Sequence, residues 1–380
     1  MSEKKNFIID LFSGAGGLSL GFEMANFRVG LAIELEENYY NAYKLNHPET
    51  LCLNRDITEL DCGEISDKFV KNIEINGIIG GPPCMGFSTV GNRRPDDPRN
   101  TLIYYFIQWV NYFKPQFFVM ENVPGILSMG KGQVAKKVVE LYNEIGYSCK
   151  MEVLLAADYG VPQLRRRVFF IGSPMDSVLS LNLQKPNRRS GNQKGSFEKE
   201  ALPSYLTVKD AISDILDIKP FVKKRTENLV KEYSHPPKTQ FQEYLRKESD
   251  KLYDHFAPNH SELVMKRISH INQGENHISL PKEYQLKGGY PNIYGRLHLN
   301  KPADTITGNC GCVSAPGRFI HPTQNRAISI REAARLQSFP DMYRFCGNMS
   351  DKYRQVGNAV PPLMAHAVAK SINKLQKIHL

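Results

Sequence analysis

Between residues 7 and 175, short apolar runs alternate with segments of helical periodicity, and that rhythm restricts the chain to one class of fold. Phe7–Phe12, Arg28–Ile33, Ile73–Ile79 and Gln116–Met120 are β-like runs that end at glycine, proline or acidic residues. Between them, Glu36–Leu45, Thr101–Phe113 and Gln133–Ile145 carry apolar side chains at helix spacing. Strands alternating with helices predict an α/β, doubly wound and mostly parallel sheet. Ligands of such sheets bind at the carboxyl ends of the strands, where the punctuating residues of this chain fall.

The rhythm stops near residue 176. From there to 325, segments such as Gln184–Ser196 are rich in Asn, Gly, Lys, Arg and Ser, and a smaller irregular domain is expected. Order returns at the end of the chain. Ser329 with Glu332 three residues on is a capping-box signature, Pro340 closes that helix, and a last helix is expected over about 361–377. The expected division is 1–175 completed by 326–380, with 176–325 as a separate part.

Charge follows the same division. Residues 1–175 hold 18 Lys and Arg against 20 Asp and Glu, a net −2. Residues 176–330 hold 23 against 16, a net +7, and 331–380 hold 8 against 3, a net +5. A near-neutral first part and a basic remainder fit a polyanionic partner, although many proteins are basic for no such reason. The seven cysteines are scattered, and only Cys310 and Cys312 lie close together, so neither a metal site nor a disulfide framework is expected. The apolar stretch after Lys4 and Lys5 is cut by Asp10, too short for a signal peptide, and no run approaches a membrane span. A cytoplasmic protein is expected.

Five segments carry chemistry. Asp10-Leu11-Phe12-Ser13-Gly14-Ala15-Gly16-Gly17 runs from strand to glycine-rich turn to helix, either a nucleotide-type site or an ordinary tight turn. Glu34, about 20 residues on at the next strand end, can accept both hydroxyls of a ribose, which favours an adenosine-containing cofactor. Asp56 could bond an adenine amino group or simply cap a helix before Ile57. Gly80-Gly81-Pro82-Pro83-Cys84-Met85-Gly86-Phe87-Ser88 sets a cysteine on a shaped loop directly after a core strand, a nucleophile's position. A buried structural cysteine is the alternative. Glu121-Asn122-Val123 follows the strand Gln116–Met120, where an acid would share the pocket with Cys84 or act as a cap. If Gln163–Phe170 is a strand, its period of two sets Gln163, Arg165 and Arg167 on one face, for phosphate or carbonyl recognition or as a solvated basic edge. Gln355–Pro362 reads as a turn entering the last helix, whose backbone N–H groups could hold a carboxylate.

Taken in order, these segments resemble the DNA (cytosine-5) methyltransferases of the bacterial type. Pro-Pro-Cys84, Glu121-Asn122-Val123, Gln163-x-Arg165-x-Arg167, Arg331-Glu332-Ala333-Ala334-Arg335-Leu336-Gln337 with Phe339-Pro340, and Gly357-Asn358-Ala359-Val360-Pro361 all carry the likeness. It covers about 1–175 and 326–380, and 176–325 sits where the family keeps its target-recognition domain. The resemblance implies a Rossmann-like methyltransferase that moves a methyl group from S-adenosylmethionine to carbon 5 of cytosine. Cys84 would attack carbon 6 of a base flipped out of the duplex. Glu121 would bond ring nitrogen 3 and the amino group, Arg165 the carbonyl, and Arg167 would support the Cys84 loop or a phosphate.

For the cofactor, the likeness implies Phe12 against adenine and the backbone of Gly14, Gly16 and Gly17 around the methionine part. Glu34 would take the ribose, Asp56 and Ile57 the adenine, Leu102 its other face, and Asn358 and Val360 would close the site. Ser88, Thr305, Asn309 and Arg318 are candidate DNA contacts, with Thr305-Ile306 preceding a base-reading stretch at Asn309–Arg318. Met85 and Leu35 depart from the family pattern, and neither removes a reacting group. Double-stranded DNA is the expected partner of a monomeric enzyme, with no metal and no membrane. A cognate restriction endonuclease acting on the same site fits the bacterial type. The competing readings are a tRNA cytosine-5 methyltransferase and a catalytically inactive DNA-binding scaffold of the same fold.

Overall fold

A computed structural model describes residues 6–71, 73–83, 102–176, 187–188, 202–222, 229–286, 288 and 290–376, the side chains of 373–376 excepted. The chain forms two compact units. The first comprises 1–155, 166–185 and 364–380, and the second 156–165 and 186–363.

The first unit is built on one sheet. Its elements run β1 (Phe7–Leu11), α1 (Gly17–Glu23), β2 (Arg28–Glu34), α2 (Glu37–Asn46), β3 (Leu51–Asn54), α3 (Cys62–Phe69) and β4 (Gly77–Gly80). Then come α4 (Leu102–Phe113), β5 (Phe117–Asn122), α5 (Gln133–Glu144), β6 (Tyr147–Leu155) and β7 (Arg166–Pro174). The strand order is β3-β2-β1-β4-β5-β7-β6. The first five strands are parallel, and β7 runs antiparallel to both β5 and β6. β1 and β4 lie at the centre and are apolar on both faces apart from Asp10 (FIIDL and GIIG), as strands covered by helices on two sides must be. The chain turns to one side of β1 for β2 and β3, then crosses back for β4. This switch point opens a crevice at the carboxyl ends of β1 and β4.

Most elements of this sheet match the expected runs within a few residues. Two differ. β4 begins at Gly77 rather than Ile73. The strand expected over Gln163–Phe170 begins only at Arg166, because Gln163 and Leu164 bond instead to Ala303 and Ile306 of the second unit's own chain segment.

The second unit has little sheet. α6 (Val208–Ile212), β8 (Val230–Glu232), α7 (Gln240–Arg246), β9 (Lys251–Tyr253), α8 (Glu262–Ser269), β10 (Gly295–Arg296) and β11 (Arg318–Ile320) are short. α9 (Ile330–Leu336) is buried throughout. Buried charge organises this core. Arg335 meets Asp214 at 2.6 Å and Asp341 at 2.5 Å, Arg326 meets Glu332 at 2.7 Å, and Lys352 meets Asp254 at 2.6 Å. Burial works to raise the Glu332 carboxyl, but Arg326 and His321 outweigh it and hold the group far below the usual range. These pairs explain why 326–363, expected with the first part of the chain, cluster with the second unit. The carboxylates that α9 needs come from residues 214 and 254.

The Gly357 segment is a helix, not a turn. α10 (Met349–Asn358) is capped by Asn348 and Asp351 and runs through Gly357, with α11 (Pro362–Gln376) following. A Cβ at Gly357 would lie 2.1 Å from the Thr307 carbonyl carbon and 2.2 Å from the Gly308 nitrogen, so backbone approach excludes a side chain there.

Candidate active site

The glycine-rich turn owes its shape to backbone conformations that few residues adopt. Phe12, Gly14 and Gly16 have φ of 59°, 58° and 92°. This left-handed sequence lifts the chain off β1 and delivers Gly17 as the first residue of α1. Phe12 is half-buried against the core of the first unit.

Glu34 ends β2 beside this turn. Its Oε2 accepts from the Gly14 N–H at 2.7 Å and its Oε1 from the Glu36 N–H at 2.8 Å. Burial raises the carboxyl above the ordinary glutamate value, and those two N–H groups offset part of the rise. Asp56 caps the short turn Ile57–Glu59, accepting from the Thr58 N–H at 2.9 Å and the Thr58 hydroxyl at 2.8 Å. Ile57 is buried, Leu102 is half-buried against the same core, and Leu35 is 58% exposed.

Glu121 lies near the end of β5. Its Oε1 meets the Arg167 Nε at 2.7 Å, with both side chains nearly buried. Burial pulls the Arg167 guanidinium below the usual arginine range, and Glu121 opposes that shift. The loop after β4 runs against the same acid, since a Cβ at Gly81 would stand 3.1 Å from Glu121 Oε2. Asn122 donates from Nδ2 to the Pro82 carbonyl at 3.3 Å, tying the ends of β5 and β4 together. Cys84, Met85 and Ser88 lie outside the described residues.

Residues 7–374 match the family described as C-5 cytosine-specific DNA methylase. The chain belongs to that family. The Type II methyltransferase M.DdeI of Desulfomicrobium norvegicum is 38% identical over 387 residues, covering 96% of this chain and 88% of that protein. M1.HphI of Haemophilus parahaemolyticus is 35% identical over 370 residues, covering 97% and 86%. The crystal structure of a DNA modification methyltransferase encoded within an E. coli prophage superposes with a TM-score of 0.79 at 30% identity, covering 98% and 99% of the two chains. This cytosine-5 DNA methyltransferase therefore has the Rossmann-like fold of its relatives, and the family match runs along nearly the whole chain.

Within the methyltransferase, the two arginines expected on one strand face are parted. Arg165 precedes β7, is fully buried, and donates to the carbonyls of Ile306 at 2.8 Å, Gly357 at 2.9 Å and Ala359 at 3.1 Å. Its guanidinium thus serves the interior of the second unit, while Arg167 stands beside Glu121. β7 begins at Arg166, so the two arginines do not share one strand face. Gln163 is equally committed, donating to the Leu336 carbonyl and to Gln337 Oε1, both at 3.0 Å.

The remaining candidates lie in the second unit. Asn358 is exposed at the end of α10, and Val360 is buried two residues on. Thr305 donates to the Leu164 carbonyl at 3.4 Å. Arg318 is bound to Asp304 at 2.6 Å. Asn309, Cys312 and Ser314 are exposed between buried Cys310 and Val313 on a loop of successive turns. Sequence reasoning missed the Asn122 tether and the Glu121–Arg167 pair, although both lie in motifs it had singled out. Only tertiary contact shows who meets whom. Among the described residues no helix is long and apolar enough to cross a membrane, and no cluster of three or more His, Cys, Asp or Glu could hold a metal ion.

Proposed function

We propose that this enzyme binds S-adenosylmethionine at the carboxyl ends of β1–β3 and methylates carbon 5 of a flipped-out cytosine within a specific duplex DNA site. The observation that carries the reading is the buried Glu121–Arg167 pair at the crevice where the Pro82-Pro83-Cys84 loop leaves β4. The cofactor would supply the methyl group. The residues present suit it. Glu34 offers a carboxylate to a ribose beside an open glycine turn, where among the described residues a Cβ at Gly14 would meet only Tyr39 at 3.8 Å. Asp10, beneath the turn, holds a buried oxygen with no hydrogen-bond partner among the described residues, suited to a cationic ligand. Phe12, Gly16, Gly17, Asp56, Ile57 and Leu102 would complete the cradle.

In the chemistry, the Cys84 thiolate would add to carbon 6 of cytosine. Cysteine's ordinary pKa of about 8.5 leaves little thiolate at neutral pH, so the loop must favour ionisation. Glu121 would hold ring nitrogen 3 and the amino group, and Arg167 would bond the ring carbonyl while steadying Glu121. The pair thus supports the charge that addition drives into the ring. Loss of the carbon 5 proton then expels the thiolate. Residues 176–325 would read the site, with the exposed Asn309 loop as the base-contacting element. Relatives named Type II methyltransferases favour a restriction-modification role in a bacterial cytoplasm, with an endonuclease cutting the same sequence.

The test is a duplex carrying 5-fluorocytosine, whose fluorine cannot leave as a proton does. Peptide mapping should find the trapped adduct on Cys84, and Cys84→Ser should give no adduct and no methylation while still binding cofactor. An adduct elsewhere, or near-normal turnover by Cys84→Ser, defeats the mechanism.

A further inference from the structure

Asp10 is fully buried at the carboxyl end of β1, paired in register with Ala32 of β2 and Ile79 of β4. Its Oδ2 accepts a 2.5 Å hydrogen bond from the Ser19 hydroxyl on α1. Ser19 lies 2.7 Å from the Tyr43 hydroxyl on α2. Because the serine proton goes to Asp10, the phenol donates to the serine, and the relay adds no second donor to the carboxyl. Among the described residues, Oδ1 is buried with no hydrogen-bond partner.

The charged and titratable neighbours are acids or neutral groups. Glu34 faces Asp10 from β2, Glu23 from α1, Tyr43 from α2 and Cys52 from β3, while β4 brings Ile79. Glu23 is itself occupied by His47 Nδ1 at 2.9 Å. A buried carboxylate needs several donors or a cation, and among the described residues this one has a single neutral hydroxyl and two like charges nearby. Its neutral form fits that setting.

We propose that Asp10 is the neutral acid in the cofactor-free enzyme and releases its proton to solvent when the positively charged cofactor binds, so that cofactor binding is proton-linked. The inference rests on the S-adenosylmethionine reading above. The balance is simple: the carboxyl O–H breaks, the proton goes to buffer, and the carboxylate faces the ligand's sulfonium and ammonium charges. Burial pushes the Asp10 carboxyl up to about 8, with Ser19 opposing and Glu34 and Glu23 adding to the rise. An arriving cation favours the ionised form, and linkage makes the effect reciprocal.

The experiment is calorimetric titration of the full chain with S-adenosylmethionine at about pH 6.5, where an α-amino group remains ammonium. It is run in phosphate and in Tris, whose ionisation enthalpies differ. The wild type should release close to one proton per cofactor bound, and clearly less with S-adenosylhomocysteine, which lacks the sulfonium charge. Asp10→Asn, an isosteric mimic of the neutral acid, should bind without that release. Buffer-independent heat from the wild type overturns the proposal, as does undiminished release from Asp10→Asn. Should Asp10→Asn fail to fold, equal release with both ligands from the wild type overturns it alone. Absence of any S-adenosylmethionine binding removes the cofactor reading, and this inference with it.

Discussion

Replacing each of the two arginines by methionine separates their jobs. Arg165 is fully buried and gives hydrogen bonds to three backbone carbonyls at 2.8–3.1 Å. A bond from a charged donor contributes about 1.5–3 kcal/mol, and methionine refills part of the volume but none of the donors. Arg165→Met should therefore lose about 4.5–9 kcal/mol of stability, a large share of what a domain possesses. The folded fraction should still transfer methyl groups at a rate within several-fold of normal. Arg167→Met removes the partner of Glu121 at the crevice, and loss of one preorganised electrostatic contact lowers turnover by about 10²–10³. Urea unfolding gives the stabilities, and single-turnover methylation at low temperature gives the rate per folded enzyme. If Arg165→Met keeps wild-type stability yet abolishes transfer, the division of roles proposed above is wrong.

Glu34→Ala should weaken S-adenosylmethionine binding by about 1.5–3 kcal/mol with little change in DNA affinity, and equilibrium binding within twofold of wild type would contradict its role. Asn309→Ala should reduce preference for the cognate duplex over a scrambled one by about 1–3 kcal/mol without loss of stability, measured by competition. Binding itself should fall steeply with salt, by about −0.9 in log–log slope per phosphate neutralised. His255 is buried against Ser329 and the Ile218 carbonyl, and burial lowers it to about 4. Its folded value lies below the unfolded one, so its contribution is complete above about pH 6.5 and is lost as pH falls through 6.5 towards 4. That amounts to about 3 kcal/mol, removed in His255→Phe, whose unfolding free energy should vary less between about pH 7 and pH 4.5. Equal pH dependence in the two proteins would reject the assignment.

Local order in this protein was written in local pattern. The alternation over 7–175 foretold β1, β2, β5, α2, α4 and α5 nearly residue for residue, because each buries a stripe or face whose period is set by its own geometry. Ser329 and Glu332 announced the start of α9 for the same reason: a capping box is closed within four residues. The glycine turn after β1 and the strand end at Glu121 were legible as places in the fold, since each is contiguous.

Pairings across long stretches of chain were not legible. Residue spacing alone grouped Arg165 with Arg167, yet three carbonyls 141 to 194 residues away claim the first. Gly357 read as a turn because glycine usually marks one, whereas here it admits the Thr307 backbone against a helix. The 326–363 segment joined the second unit because charges on α9 cannot be buried without the carboxylates of Asp214 and Asp254. Asp10 opened the glycine-rich segment in the sequence, but its neighbours Ser19, Tyr43 and Glu34 came only with the fold. Periodicity reports what a residue does to its own helix or strand. Which partner satisfies a buried charge or hydrogen bond depends on what the fold brings within about 3 Å, and only the tertiary structure decides that.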